Sequence, residues 1–228
     1  MSLVVRAGVL VTGTGAQLED GWVRSRNGEV VEIGSGPAPE AGEVLDLPDC
    51  LMVAGLVNTH DHMYQWATRG RACNDGLFGW LKALYPVWAE IDADTVRAAA
   101  RAAIGRLLLA GCTLTTDHHY VFPAGREGIF EALVEAGRGV GIRFHPCRGS
   151  MDLGESRGGL PPDSVVQDED AIMADSKRLV DRYHEVGEAA LTQVALAPCS
   201  PFSVTTSLMK STADMAAKLD VRLHTNLA

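Results

Sequence analysis

The stretch Leu51–His62, LMVAGLVNTHDH, decides the fold: it is a nearly continuous apolar run that ends in two histidines two positions apart. A short apolar run of this kind reads as a strand buried on both faces, which is the habit of parallel sheets. Side chains alternate along a strand. If the strand continues through the two histidines, the imidazoles of His60 and His62 lie on one face and can hold one divalent metal ion, zinc or iron. Parallel α/β folds place their active sites at the carboxyl ends of strands, which is where this pair falls. The plainer reading is two histidines in a surface turn, and the buried strand running directly into them weighs against it.

Downstream, four more apolar runs follow, TLTTD (Thr113–Asp117), GIRFH (Gly141–His145), TQVALAP (Thr192–Pro198) and VRLHTN (Val221–Asn226), each leading into polar or reactive residues. Helical spacing fills the gaps between them. Val96, Ala100, Ala103, Leu107 and Leu108 share one helix face, with Asp94 as its cap and Gly111 as its end. Ile129, Phe130, Leu133 and Val134 mark a second helix, Ile172, Leu179 and Tyr183 a third behind Asp168, and Leu208, Met215 and Leu219 a fourth. Strands alternating with helices specify the α/β class, as a parallel sheet or barrel. The remaining connection, Arg148–Gln167, is long and rich in Gly and Pro, and it reads as an active-site loop.

Upstream the grammar changes. Residues 1–50 carry short β-type runs broken by glycine, and Asn27-Gly28 is a dipeptide suited to the two positive-φ positions of a type I′ hairpin turn. Two units are expected: an N-terminal β module over 1–50, half of a composite β-sandwich, and α/β chain over 51–228.

Composition excludes several function classes. The 228 residues are 46% hydrophobic, with 20 Lys+Arg against 29 Asp+Glu for a net charge of −9. No window reaches the ~20 apolar residues of a membrane span. The acidic balance argues against a phosphate-tracking nucleic-acid protein and for a small-molecule partner. The five cysteines form no CxxC pair, and the N-terminus lacks the form of a signal peptide, so reduced thiols and a cytoplasmic location are expected. No GxGxxG turn follows a strand, which sets a flavin or nicotinamide enzyme aside.

The β module followed by VAGLVNTHDHMYQ resembles the amidohydrolase superfamily, and within it the cytosine/guanine deaminase-like aminohydrolases. GSMDLGESRGGLPPDSVVQDEDAI, RLVDRYHE and VALAPCSPFSVT resemble the 8-oxoguanine deaminases. The resemblance implies a (β/α)8 barrel whose single zinc or iron ion is held by the HxH pair, a strand-five histidine and a strand-eight aspartate. It further implies hydrolytic deamination of a purine-like ring, 8-oxoguanine to urate and ammonia, by a full-length homo-oligomer. A hydroxyatrazine or triazine aminohydrolase is the neighbouring alternative.

Carried onto this sequence, His60 and His62 match the first two ligands, while Asn226 stands where the pattern LHTHLAE has its third histidine. His224, on the same face two residues earlier, would lie deeper and is not expected to substitute. Gln65, Trp80, His119, Arg148 and Cys199 are the expected substrate contacts. For Trp80 a core role is the competing expectation, and for Arg148 a role in pinning the long loop. The proton-shuttle glutamate of the pattern falls just past Ala228, so no catalytic residue is expected within the chain. Since a closed barrel takes ~250 residues, only strands one to five of eight are accounted for. An N-terminal part that is inactive alone, or a non-catalytic truncated barrel, is the corresponding expectation.

Overall fold

A computed structural model describes residues 2–227. The chain divides into two compact units, one reaching to Leu56 and the other starting at Val57.

The first unit is a four-stranded sheet of order β3-β2-β1-β4, built from β1 (Ser2–Val11), β2 (Gln17–Arg26), β3 (Glu29–Ser35) and β4 (Glu43–Met52). The β2–β3 hairpin turns at Asn27 and Gly28 with φ of 54° and 86°, the double positive-φ geometry that this dipeptide favours. Gly34 is required for another reason, because a Cβ there would meet the Trp22 ring at 2.4 Å. Val4, Ala7, Leu10 and Trp22 are buried, whereas Val30, Val31 and Ile33 of β3 and Val44, Leu45 and Leu47 of β4 are exposed.

β4 corrects one expectation. Leu51 and Met52 pair in parallel with Val9 and Leu10 of β1, so the apolar run 51–58 is not one strand. It serves two sheets, broken at Val53–Gly55, and only β5 (Leu56–Asn58) belongs to the second. Both pieces are apolar, so hydrophobicity alone gave no sign of the change of sheet.

The second sheet is parallel in its β6–β7 and β7–β8 pairs, with order β5-β6-β7-β8, where β6 is Cys112–His119, β7 Arg143–Ser150 and β8 Ala195–Pro198. Helices α1 (Leu77–Trp88) and α2 (Ala93–Leu109) follow β5, α3 (Ile129–Val140) follows β6, α4 (Glu169–Tyr183) follows β7 and α5 (Thr206–Leu219) follows β8. Strand order equal to chain order, with helical crossovers, is the progression of an incomplete (β/α)8 barrel. The fifth run does not form a regular strand. It lies beside β8 through a single parallel bridge, Leu196 to Leu223, with Leu196 N–H donating to Arg222 O (3.0 Å) and His224 N–H to Leu196 O (2.9 Å).

Three of the helices, α2, α4 and α5, start at a side-chain cap. The Asp168 and Thr205 side chains accept from backbone amides to open α4 and α5. α2 is capped by Asp92, whose Oδ1 accepts from Thr95 N at 2.8 Å, and not by Asp94, which sits in the first turn. A cap must lie outside the first helical residue with its carboxylate over the third amide, and Asp92 has that spacing. The core between the sheet and the helices contains Val96, Ile104, Phe130, Leu133, Ile172, Leu179 and Leu196. Among the described residues no helix is long and apolar enough to cross a membrane.

Candidate metal centre

The carboxyl ends of β5 and β6 bring the site together. His60 Nε2 and His62 Nε2 stand 3.1 Å apart. The His62 Nδ1–H donates to His118 O at 2.7 Å, which fixes the tautomer and leaves the lone pair on Nε2. His118 Nε2–H donates to Ala197 O at 3.2 Å, while its Nδ1 is buried without a partner. Ligand atoms of His60, His62 and His118 all lie within 4.8 Å of one another.

β6 also clamps the segment that carries the pair. His118 N–H donates to Asp61 O at 2.7 Å, Met63 N–H to Asp117 Oδ1 at 2.8 Å, and Asn58 Nδ2 to Thr115 Oγ1 at 3.2 Å. The Asp61 carboxylate accepts from Asn58 Nδ2 (3.1 Å) and from the His62 backbone amide (2.8 Å).

Burial keeps the imidazoles of His62 and His118 neutral. It lowers His62 to about 4 and His118 to about 2, against an ordinary value of 6.5. A metal ligand must be unprotonated, so neutral imidazoles with a fixed lone pair and an orphaned buried nitrogen fit a divalent cation. The separation of the facing nitrogens fits as well, since two Zn–N bonds of about 2.0–2.1 Å at a tetrahedral angle span roughly 3.3 Å.

The other expected site residues are distributed unevenly. Gln65 and Trp80 line a cavity of ≈ 320 Å³ together with Asp61, His62, Trp66 and Arg69. Gln65 Nε2 donates to the Tyr64 hydroxyl at 3.3 Å, and Trp80 packs edge-on against Trp88. Asn226 N–H donates to Cys199 O at 3.0 Å, and its Nδ2 donates to Cys199 Sγ at 3.9 Å. Cys199 is buried, and that burial raises its thiol to about 11.

His119 and Arg148 lie apart from this group. His119 is wholly buried among Tyr64 and Phe122, its Nε2–H donating to Val121 O at 2.8 Å. Arg148 is buried against the Phe122 ring, with Nε on Asp175 at 3.0 Å and Nη2 on Gln167 Oε1 at 2.8 Å, so it ties the two ends of the long loop together.

Two residues now in the cluster had not been expected there. Alternation through Asp117-His118-His119 puts one of the two histidines toward the site, and the structure puts His118 there. His224 Nε2 lies 2.7 Å from His60 Nδ1.

His119 gives a pH prediction. Its folded value of about 3 lies below 6.5, so it stays neutral in the fold while the unfolded chain takes up a proton. Stability is therefore complete above about pH 6.5 and falls as pH drops towards 3, by ~1.4 kcal/mol per pH unit from this residue. Urea midpoints across that range should show the slope, and His119→Gln should flatten it. Identical slopes in both proteins would contradict the assignment.

A parallel α/β half-barrel with histidines converging at its strand ends defines a class of barrel hydrolases. The chain belongs to the amidohydrolase family, whose pattern matches residues 51–228. It is 46% identical over 224 residues to the 8-oxoguanine deaminase of Pseudomonas aeruginosa, covering 96% of this chain and 50% of that protein. It is 32% identical to the hydroxydechloroatrazine ethylaminohydrolase of Pseudomonas sp. strain ADP, covering 96% and 49%. The fold superposes on atrazine chlorohydrolase TrzN from Arthrobacter aurescens TC1, solved in complex with zinc, with a TM-score of 0.92 at 30% identity, covering 98% of this chain and 52% of that one. The chain thus spans about half the length of the relatives it matches.

Proposed function

We propose that the protein carrying this chain is a metal-dependent hydrolytic deaminase of an aminated purine-like ring, converting 8-oxoguanine and water to urate and ammonia. The observation that carries this reading is the convergence of the Nε2 atoms of His60 and His62, 3.1 Å apart beside a cavity lined by Gln65 and Trp80. His60 and His62 hold one zinc or iron ion, with His118 and Asn226 as further donors at its edge. When bound, that ion supplies the Lewis acidity that activates water for attack on the carbon bearing the amine. Gln65 presents both donors and an acceptor to a lactam edge, and Trp80 offers a flat apolar wall to the ring. Asp61 holds the His62 backbone in place. Cys199 acts through Asn226, whose backbone it anchors, and a buried thiol with a raised pKa is no nucleophile. His119 and Arg148 act as structural supports of the β6 and β7 strand ends. A small-molecule substrate, a homo-oligomeric assembly and a cytoplasmic setting belong to the same reading.

The 46% identity to an 8-oxoguanine deaminase favours the purine substrate. The 32% relative and the TrzN superposition favour a second reading, an aminohydrolase of hydroxytriazines. Ammonia release by the natural protein containing this sequence, assayed with 8-oxoguanine, guanine, isocytosine and a hydroxytriazine, separates the two. Turnover of 8-oxoguanine above the others is expected. Its absence alongside triazine turnover would transfer the assignment to the second reading.

Asn226 gives a further prediction. An amide oxygen is a poorer zinc ligand than imidazole, so Asn226→His should tighten zinc binding by ~10-fold or more in a chelator competition. Unchanged affinity would remove position 226 from the metal's surroundings.

A further inference from the structure

The geometry points to His224 as the positioning residue that sets the tautomer of His60 and so makes its Nε2 available to the cation. This inference rests on the metal reading above and deepens it.

The two contacts of the His60 ring differ in kind. Its Nδ1 meets His224 Nε2 at 2.7 Å, with the ring planes 13° apart and the centroids separated by 5.0 Å. That centroid separation is what two nearly coplanar rings reach when joined edge to edge, nitrogen to nitrogen. The proton and the accepting lone pair therefore lie along one line, the geometry of a strong hydrogen bond. On the other edge, His60 Nε2 and His62 Nε2 are further apart, at 3.1 Å, yet the ring centroids are closer, at 4.7 Å, and the planes are 86° apart. Those two nitrogens converge at an angle on a common point, as ligands of one ion do.

His224 therefore stands behind His60, on the nitrogen away from the converging pair. The donor set leaves one consistent arrangement. His62 spends its Nδ1–H on His118 O, so its Nε2 is a lone pair. For His60 to offer a second lone pair from Nε2 while neutral, its proton must sit on Nδ1, and His224 Nε2 is the atom placed to accept it. A proton on His224 Nε2 instead would force the His60 proton onto Nε2, where it blocks the site. Outer partners of this kind typically set metal affinity by 10–100-fold. His224 does so across 164 positions of sequence.

The test compares His224→Phe, which keeps a ring of similar size without the acceptor, with His224→Gln, which restores an accepting oxygen. Cobalt(II) is titrated into each protein and followed by its visible ligand-field absorption. Long-range ¹H–¹⁵N spectra of the zinc-loaded parent report the protonation of both rings. The expected results are a dissociation constant raised ~10–100-fold in His224→Phe with an altered cobalt spectrum, recovery in His224→Gln, and a His60 proton on Nδ1 facing an unprotonated His224 Nε2. Cobalt binding by His224→Phe as tight as in the parent, or equal loss in both variants, would overturn the inference. If His224→Phe fails to fold, the parent's spectra decide, and a proton on His224 Nε2 is the overturning result. A parent that takes up no cobalt overturns the metal reading itself, and this inference with it.

Discussion

Replacing His62 with alanine is expected to weaken divalent-cation binding by more than ~100-fold, beyond what the loss of an outer partner typically costs. Its imidazole is the best prepared donor in the cluster. Burial lowers its pKa to about 4, so no proton competes with the metal near neutral pH, and the Nδ1–H to His118 O bond aims the free Nε2 at His60. Removing it leaves the solvent-exposed His60 and the recessed His118 Nδ1 without the ring that joins them. Equilibrium dialysis with zinc, followed by metal analysis, measures the loss. The fold should persist, because the backbone of this segment is held by the His118 and Met63 amide bonds and not by the imidazole. Near-stoichiometric zinc in a folded His62→Ala protein would contradict the site.

The second large effect belongs to Arg148. Its side chain is 0% exposed, and its charge is balanced by Asp175, which is 27% exposed. The guanidinium also donates to Gln167 Oε1 and to Gly149 O, and it lies 4.0 Å over the Phe122 ring. Arg148→Met keeps an apolar stem but leaves Asp175, Gln167 and Gly149 O without their buried partner. The cost should be ~1–3 kcal/mol by urea denaturation, the range for leaving buried polar groups unsatisfied, because Asp175 is part-exposed and keeps its ion pair with Arg178. The loop between Asp152 and Gln167 should also become more open to proteolysis, because Arg148 fixes its far end while Thr205, donating to Asp152 from N–H (2.7 Å) and Oγ1 (2.5 Å), fixes its near end. A change under about 1 kcal/mol would place Arg148 among ordinary surface-type ion pairs.

The sequence was legible where one residue or one period carries the physics. Asn27-Gly28 encodes its turn because positive φ is a local property. Asp168 encodes the start of α4 because a cap acts over three residues. The alternation of apolar runs with helical spacing encodes a parallel sheet, while its order, equal to chain order, is a finding of the structure. Legibility failed where two structures suit the same letters. Leu51–Met52 and Leu56–Asn58 are equally apolar, yet they belong to different sheets. Asp92 and Asp94 are both good caps, and only the spacing to the Thr95 amide chooses between them.

The site shows the same division. By itself the sequence pointed to His60 and His62 acting together at a strand end, and the structure brings their Nε2 atoms together just past β5, which ends at Asn58. The sequence could not determine whether His118 or His119 turns towards them. Both are fully buried, and a strand buried on both faces has no polar side to reveal its register. Nor could it determine that His224 reaches His60, since that contact depends on where the segment beside β8 comes to lie against the sheet. Tertiary structure decided both, by fixing the twist and stagger of neighbouring strands, which a one-dimensional pattern does not contain.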